Sequence, residues 1–224
     1  IHHNNTNVEN VDQDINPRMV FRFSENQPLR WFHRFQSIYA SFVYCFLIVE
    51  WVTFKDFLKL WKYRKEKYVK SRKELITILL GIVIKKVIFF LVFLIIPIYI
   101  SEFSIATVVL MFLTMLFTAG LYMTIVLQLA HIVPETLFFS HSGNQDKTWH
   151  ICQLLSTSNF GMNDKILTFL VGGLNFQIEH HLFPDVCHIH YPKIAPIVQE
   201  TATEFGLPYQ KQSTFIKAIQ CHYK

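Results

Sequence analysis

The chain has 224 residues, a formal net charge of +5 at pH 7, 51% hydrophobic and only 17% charged residues, with 22 Phe. Soluble domains carry roughly 25% charged residues; this balance, with the apolar residues gathered into long runs, excludes an ordinary soluble domain and points to a bilayer as solvent. Cys45, Cys152, Cys187 and Cys221 include no Cys-x-x-Cys pair, which excludes a disulfide framework and a thiolate zinc site.

Residues 1–36 are polar, with a proline at position 17, and read as water-facing loop or short helix. The chain starts on Ile1, His2 and His3 and reads as the C-terminal part of a longer domain whose N-terminal part is missing. Residues 37–54, "SIYASFVYCFLIVEWVTF", form an apolar stretch short for a crossing, so an interfacial or partial membrane helix is expected, with Glu50 and Trp51 at the water edge. Residues 55–74 carry nine Lys or Arg and read as a solvated loop, cytoplasmic by the positive-inside rule. Their charge suits anionic lipid; no nucleic-acid role is needed to explain it. The next apolar stretch, 75–100, is interrupted by Lys85 and Lys86, which can snorkel to the interface. Residues 103–129 carry no charge and exceed the ~20 residues a crossing helix needs. Transmembrane helices are expected over 82–101 and 104–129, joined by a link without Lys or Arg, so both ends of the hairpin face the cytoplasm. Residues 131–224 read as a cytoplasmic cap ending in an amphipathic segment that begins near Pro192. The expected fold is an all-α integral membrane protein: a transmembrane hairpin, an interfacial helix and a cytoplasmic helical cap.

The chemistry lies in the histidines. In "GGLNFQIEHHLFPD", Gln177, His180 and His181 are spaced i, i+3, i+4 and share one helical face, with Glu179 pointing away and Pro184 ending the helix. His2 and His3 form a second pair, and His131 stands at the end of the last apolar run. The expected topology returns all of them to one side of the membrane. Two imidazoles beside a membrane run are costly unless something pairs them. Neutral imidazoles suit Fe, Zn, Cu or Ni, and spacing does not choose among these. No Glu-x-x-His, His-Glu-x-x-His or Gly-x-Ser-x-Gly occurs, which argues against a carboxylate-rich di-iron bundle, a zincin peptidase and a serine hydrolase.

"FQIEHHLFP" resembles the third histidine box of membrane fatty acid desaturases, in the Gln-x-x-His-His form of front-end desaturases, and "IHHNNTN" resembles the tail of the second box. "NVENVDQDI", "WFHRFQSIY", "LQLAHIVPET", "STSNF" and "HYPKIAPIVQETATEFGLPY" resemble further segments of that family in the same order, most like the bacterial-type acyl-CoA or acyl-lipid enzymes. The first box, His-x-x-x-His, has no counterpart here. The resemblance implies that His2, His3, His131, His180 and His181 are ligands of two iron ions, with Gln177 where many relatives have His. It implies dioxygen as co-substrate, electrons from a b-type cytochrome or ferredoxin, and an acyl-CoA or acyl-lipid substrate receiving a cis double bond of delta-5 or delta-6 type. Asn7, Asp12, Asp14, Glu135, Asn159 and His190 are candidates for fixing the imidazoles from behind. His188 and His190 follow Pro184 and leave the helix face; His33, His141, His150 and His222 have no metal-like grouping.

Removing hydrogen from an unactivated methylene needs an oxidant stronger than any side chain, so the cofactor carries that step. Apolar walls over 104–130 and 160–182 read either as an acyl tunnel or as ordinary core. The basic 55–74 segment can dock an acidic electron donor. The other readings are a hydroxylase or oxygenase on the same scaffold, a noncatalytic remnant, and a His-lined metal transporter. The last is disfavoured because transporters bind near mid-bilayer and the middle of 103–129 offers only Thr114 and Thr118.

Overall fold

The computed structural model describes residues 2–9, 12, 20–24, 27–139 and 148–224. In chain order it has a 3₁₀ turn His2–Asn4, a 3₁₀ turn Trp31–Phe35, α1 (Gln36–Tyr44), α2 (Leu47–Glu50), a π turn Trp51–Lys55 and α3 (Asp56–Lys65). There follow α4 (Arg72–Phe90), a π turn Leu91–Ile95, α5 (Ile96–Ile100), α6 (Ile105–His131), α7 (Trp149–Ser156), β1 (Asn159–Phe160), α8 (Lys165–Leu170) and α9 (Gln177–Leu182). The chain closes with a 3₁₀ turn His188–His190, α10 (Tyr191–Glu204), β2 (Lys211–Gln212) and α11 (Phe215–His222). It divides into two units, residues 41–124 and residues 1–40 with 125–224.

In the 41–124 unit, α4 to α5 form one continuous helix, Arg72–Ile100, which together with α6 is long and apolar enough to cross a membrane. The first of these begins at Arg72 rather than at 82. Ser71 caps it by accepting from the Glu74 N–H at 3.0 Å, while Glu74 reaches back to the Lys70 N–H, a reciprocal N-terminal box that fixes the start ahead of the apolar run. Pro97 lacks an N–H, and the π turn just before it takes up the resulting break in the ladder.

The basic segment read as a loop is helical up to Lys65, because Lys, Arg and Leu are strong helix formers; only 66–71 form the turn into α4. The path through the expected 37–54 helix bends by 57° between Tyr44 and Leu47, a broken span or a re-entrant segment by its shape. Gly120 of α6 packs directly on this bend: a Cβ there would stand 2.3 Å from the Cys45 carbonyl oxygen. Thr124, one turn on, points its hydroxyl at the Tyr44 carbonyl, 3.3 Å away. Lys86 does not simply snorkel. Its ammonium donates to the carbonyls of Trp51 and Val52 at 2.9 and 3.1 Å and pairs with Asp56 at 3.0 Å.

In the other unit, β1 and β2 pair in parallel, Asn159 beside Lys211 and Phe160 beside Gln212, a short departure from a purely helical plan. Val126, Leu129 and Ala130 at the end of α6 are buried with Phe160, Val171 and Ala218. Those stretches of 104–130 and 160–182 are therefore packed core. A second cluster joins Val8, Phe139, Cys152 and Leu155, and a third packs Leu154 and Ile178 on Val198 and Ala202 of α10. Together they set α7 and α9 around the end of α6.

Candidate metal centre

Three remote pieces of chain meet at one residue, Asn7. It sits at φ +54°, a left-handed conformation that Asn tolerates better than most residues. Its amide donates to the carbonyls of His131, Leu137 and Ser156 at 3.1, 3.2 and 3.3 Å. Its backbone N–H is received by the Asp12 carboxylate at 3.0 Å. Asn7 thus ties the His2–Asn4 turn to the last residue of α6 and the last residue of α7. The segment is extended by a parallel bridge from Val8 to Phe139.

The outcome is a cluster of five imidazoles. His181 lies centrally, with ring centroids 5.1 Å from His2, 4.6 Å from His3, 4.9 Å from His131 and 5.6 Å from His180. His2 and His131 are 4.9 Å apart, and His3 and His180 are 4.7 Å apart. The rings fall into two groups that share His181. Ligand atoms of His2, His131 and His181 all lie within 4.8 Å of one another.

The backs of the rings decide which nitrogen faces the centre. His2 Nδ1 lies 2.9 Å from the Asp12 carboxylate, His181 Nδ1 2.9 Å from the Gln153 amide oxygen, and His131 Nδ1 3.3 Å from the Ser156 carbonyl. All three partners are acceptors, so each Nδ1 carries the proton and each Nε2 keeps its lone pair. The Thr6 hydroxyl donates to the same Gln153 oxygen at 2.8 Å and stands 3.1 Å from His181 Nδ1. His180 Nδ1 stands 3.3 Å from the Tyr191 hydroxyl. Burial, reinforced by the neighbouring imidazoles, pushes His181 well below the ordinary histidine range and His180 down to about 4. Both are neutral at pH 7, the form that binds metals.

Gln177 is buried on the same face of α9, and its Oε1 is enclosed without a hydrogen-bond partner among the described residues. An orphaned buried acceptor costs about 1–3 kcal/mol, so an electrophile on that face is the natural complement. Neutral imidazoles with their lone pairs turned inward and an unmatched amide oxygen form a donor set that fits iron.

The opposite face of α9 is anchored by Glu179, which is fully buried. Its carboxylate accepts from Asn159 Nδ2 and from the Tyr209 hydroxyl, both at 2.8 Å. Asn159 Oδ1 receives the Ile178 N–H at 2.9 Å. Burial raises both Glu179 and Tyr209 above their usual ranges. The turn into α9 needs Gly173, at φ +77°, where a Cβ would meet that of His188 at 2.8 Å.

Of the residues singled out from the sequence, His2, His3, His131, His180 and His181 come together, with Gln177 on the face of the latter two. Asp12 backs a ring directly, Asn7 holds the segments, and Asn159 acts through Glu179. Glu135 does not join them: it is exposed and bonds to Gln210 and Gln212, because the chain has already turned away from His131. His190 is exposed on the turn past Pro184, and Asp14 lies outside the described residues. Thr6, Gln153, Ser156, Tyr191 and Tyr209 escaped sequence reasoning. The one signal for them was a glutamine amid the apolar face of "WHICQLL".

Residues 1–213 match the family described as fatty acid desaturase. The chain is 35% identical to the sn-1 linoleoyl-lipid 6-desaturase of Arthrospira platensis, covering all of this chain and 60% of that protein. It is 33% identical to the sn-1 linoleoyl-lipid 6-desaturase of Synechocystis sp., covering 100% and 63%, and 32% identical to the acyl-lipid (8-3)-desaturase of Physcomitrium patens, covering 99% and 47%. It thus spans less than two thirds of the length of each of these relatives. No solved structure matches.

Proposed function

We infer the function from one premise: this chain belongs to the fatty acid desaturase family. It carries the metal-binding half of an oxygen-dependent front-end acyl desaturase, of delta-5 or delta-6 type, acting on acyl-lipid or acyl-CoA chains at the cytoplasmic face of a membrane. The observation that supports this best is the convergence of five imidazoles from three remote segments, with the ring protons of His2, His131 and His181 turned outward.

His2, His131 and His181 form one group, and His3, His180 and His181 the other, which suits a pair of iron ions with Gln177 beside them. Bound there, iron would supply, with dioxygen, the oxidising power that no side chain has. The residues of this chain supply the rest. Asp12, Gln153 and the Ser156 carbonyl hold the ring protons on Nδ1. The Glu179–Asn159–Tyr209 network fixes the helix that carries His180 and His181. The buried, neutral shell keeps protons off the imidazoles at neutral pH. In the overall reaction two hydrogens leave adjacent acyl carbons. Dioxygen takes them up, with two protons and two electrons from a b-type cytochrome or ferredoxin, to give two waters.

Expression of the full-length protein in a host fed defined fatty acids, with mass spectrometry of the products, tests the reading. The expected product has lost two hydrogens on the carboxyl side of an existing double bond. His180→Ala and His181→Ala should each lose bound iron and product. A product that has gained oxygen, or undiminished iron and turnover in both variants, overturns it.

A further inference from the structure

The 41–124 unit holds a cleft of about 330 Å³ between the π turn Trp51–Lys55, the start of α3 and the C-terminal end of α4. Its wall is divided. Val52 and Phe89 are apolar, while Lys55, Lys59, Lys85 and Lys86 are cationic against the single carboxylate of Asp56. Lys86 is already neutralised, held by Asp56 and two backbone carbonyls, and Lys55 lies over the Trp51 ring at 4.2 Å. Lys59 and Lys85 make no hydrogen bond or ion pair among the described residues. The cleft therefore presents uncompensated positive charge, which calls for an anion.

The depth of the cleft identifies the anion. Fifteen residues from Lys85 to Ile100 make about 22 Å of helix, against a hydrocarbon core of ~30 Å, and the long lysine stem covers most of the remainder. With the α5 end at one membrane surface, the ammonium groups of Lys59 and Lys85 reach the opposite headgroup level. Phe89, one turn from Lys85, stays among acyl chains. A cleft of this volume at headgroup level admits a phosphodiester headgroup and is too small for a folded acidic protein. Basic pockets between transmembrane helices bind anionic headgroups in this way.

We propose that this cleft is a binding site for the phosphate headgroup of an anionic glycerophospholipid. Lys59 and Lys85 supply the charge, and Val52 and Phe89 the contact with the acyl region. The site shares no residue with the imidazole cluster and stands whether or not the chain desaturates lipids, because its readout is lipid retention.

The test is native mass spectrometry of the full-length protein from nanodiscs of phosphatidylglycerol and phosphatidylcholine, with dissociation constants from lipid titration. Phosphatidylglycerol should be retained in preference to phosphatidylcholine. Near a membrane each lysine contributes about fivefold in affinity. K59Q/K85Q should therefore weaken phosphatidylglycerol about 25-fold, leave phosphatidylcholine unchanged and keep its iron content, while K59R/K85R retains binding. Equal retention of both lipids, or wild-type affinity in K59Q/K85Q, overturns the proposal. So does displacement of the lipid by millimolar inorganic phosphate, which would mark a simple ion site, or binding of polyglutamate in place of lipid, which would mark a protein-docking face.

Discussion

Replacing Gln153 with leucine tests whether the imidazoles are set from behind. Gln153 is 1% exposed, and its Oε1 accepts from His181 Nδ1 at 2.9 Å and from Thr6 at 2.8 Å. Leucine keeps the volume and removes the acceptor from the buried His181 Nδ1–H, while the Thr6 hydroxyl keeps the His2 carbonyl at 3.0 Å. A buried donor left unpaired costs about 1–3 kcal/mol. The Thr6 oxygen, 3.1 Å from His181 Nδ1, takes over part of the loss, so about 2 kcal/mol of destabilisation is expected. The larger effect falls on the metal. Without the acceptor His181 can carry its proton on Nε2, which removes the lone pair from the centre, and loss of such a partner lowers metal affinity by about 10–100-fold. Iron retained after dialysis against graded chelator gives the affinity, and thermal unfolding of metal-free protein gives the stability. Gln153→Glu keeps an acceptor and should retain iron. Wild-type iron affinity in Gln153→Leu would refute the argument that tautomers here are imposed by the surrounding chain.

Gly120→Ala forces a methyl against the Cys45 carbonyl at 2.3 Å, and because that neighbour is backbone the variant should lose about 1–3 kcal/mol, seen as a lowered thermal midpoint in detergent. Tyr209→Phe removes a donor to the buried Glu179 and should cost about 1–3 kcal/mol, with iron affinity falling alongside as α9 loosens; unchanged unfolding would deny the anchor its role. Metal-free protein should lose stability on acidification. Burial, then neighbouring imidazoles, lowers His180 to about 4 and His181 further, and burial also lowers His222. The unfolded chain takes up these protons near pH 6.5 and the folded one only at lower pH, so stability falls as pH drops from about 6.5 toward the lowered folded values. Glu179, raised by burial, works in the opposite sense at lower pH, but one carboxylate does not outweigh three histidines. A thermal midpoint that is flat or rising from pH 7 to pH 5 would contradict this balance.

The parts legible in the sequence are those with a period or a spacing. Apolar runs too long for anything but a crossing gave the two long helices, and the i, i+3, i+4 pattern placed Gln177, His180 and His181 on one face. Boundaries were less legible. The Ser71–Glu74 box outweighs the drop in hydropathy, so α4 starts at Arg72, and helix-forming lysines carry α3 through what reads as a loop. Long-range polar contacts were least legible. Gln153 serves His181 from 28 residues away and Thr6 from 147, and no local pattern marks an amide as an acceptor for a ring. The same holds for Glu179, whose place opposite the histidines was readable but whose burial against Tyr209, 30 residues on, was not.

The acceptors behind the rings also rank the ligands. A carboxylate behind an imidazole raises the basicity of its far nitrogen more than an amide or a peptide carbonyl does. His2 is backed by Asp12 at 2.9 Å, His181 by a neutral amide at 2.9 Å, and His131 by a peptide carbonyl at 3.3 Å. His2 is therefore the strongest electron donor of the three and His131 the weakest. The asymmetry lies within one group of rings, so an ion held there would be bound most firmly from the His2 side and most loosely toward the end of α6.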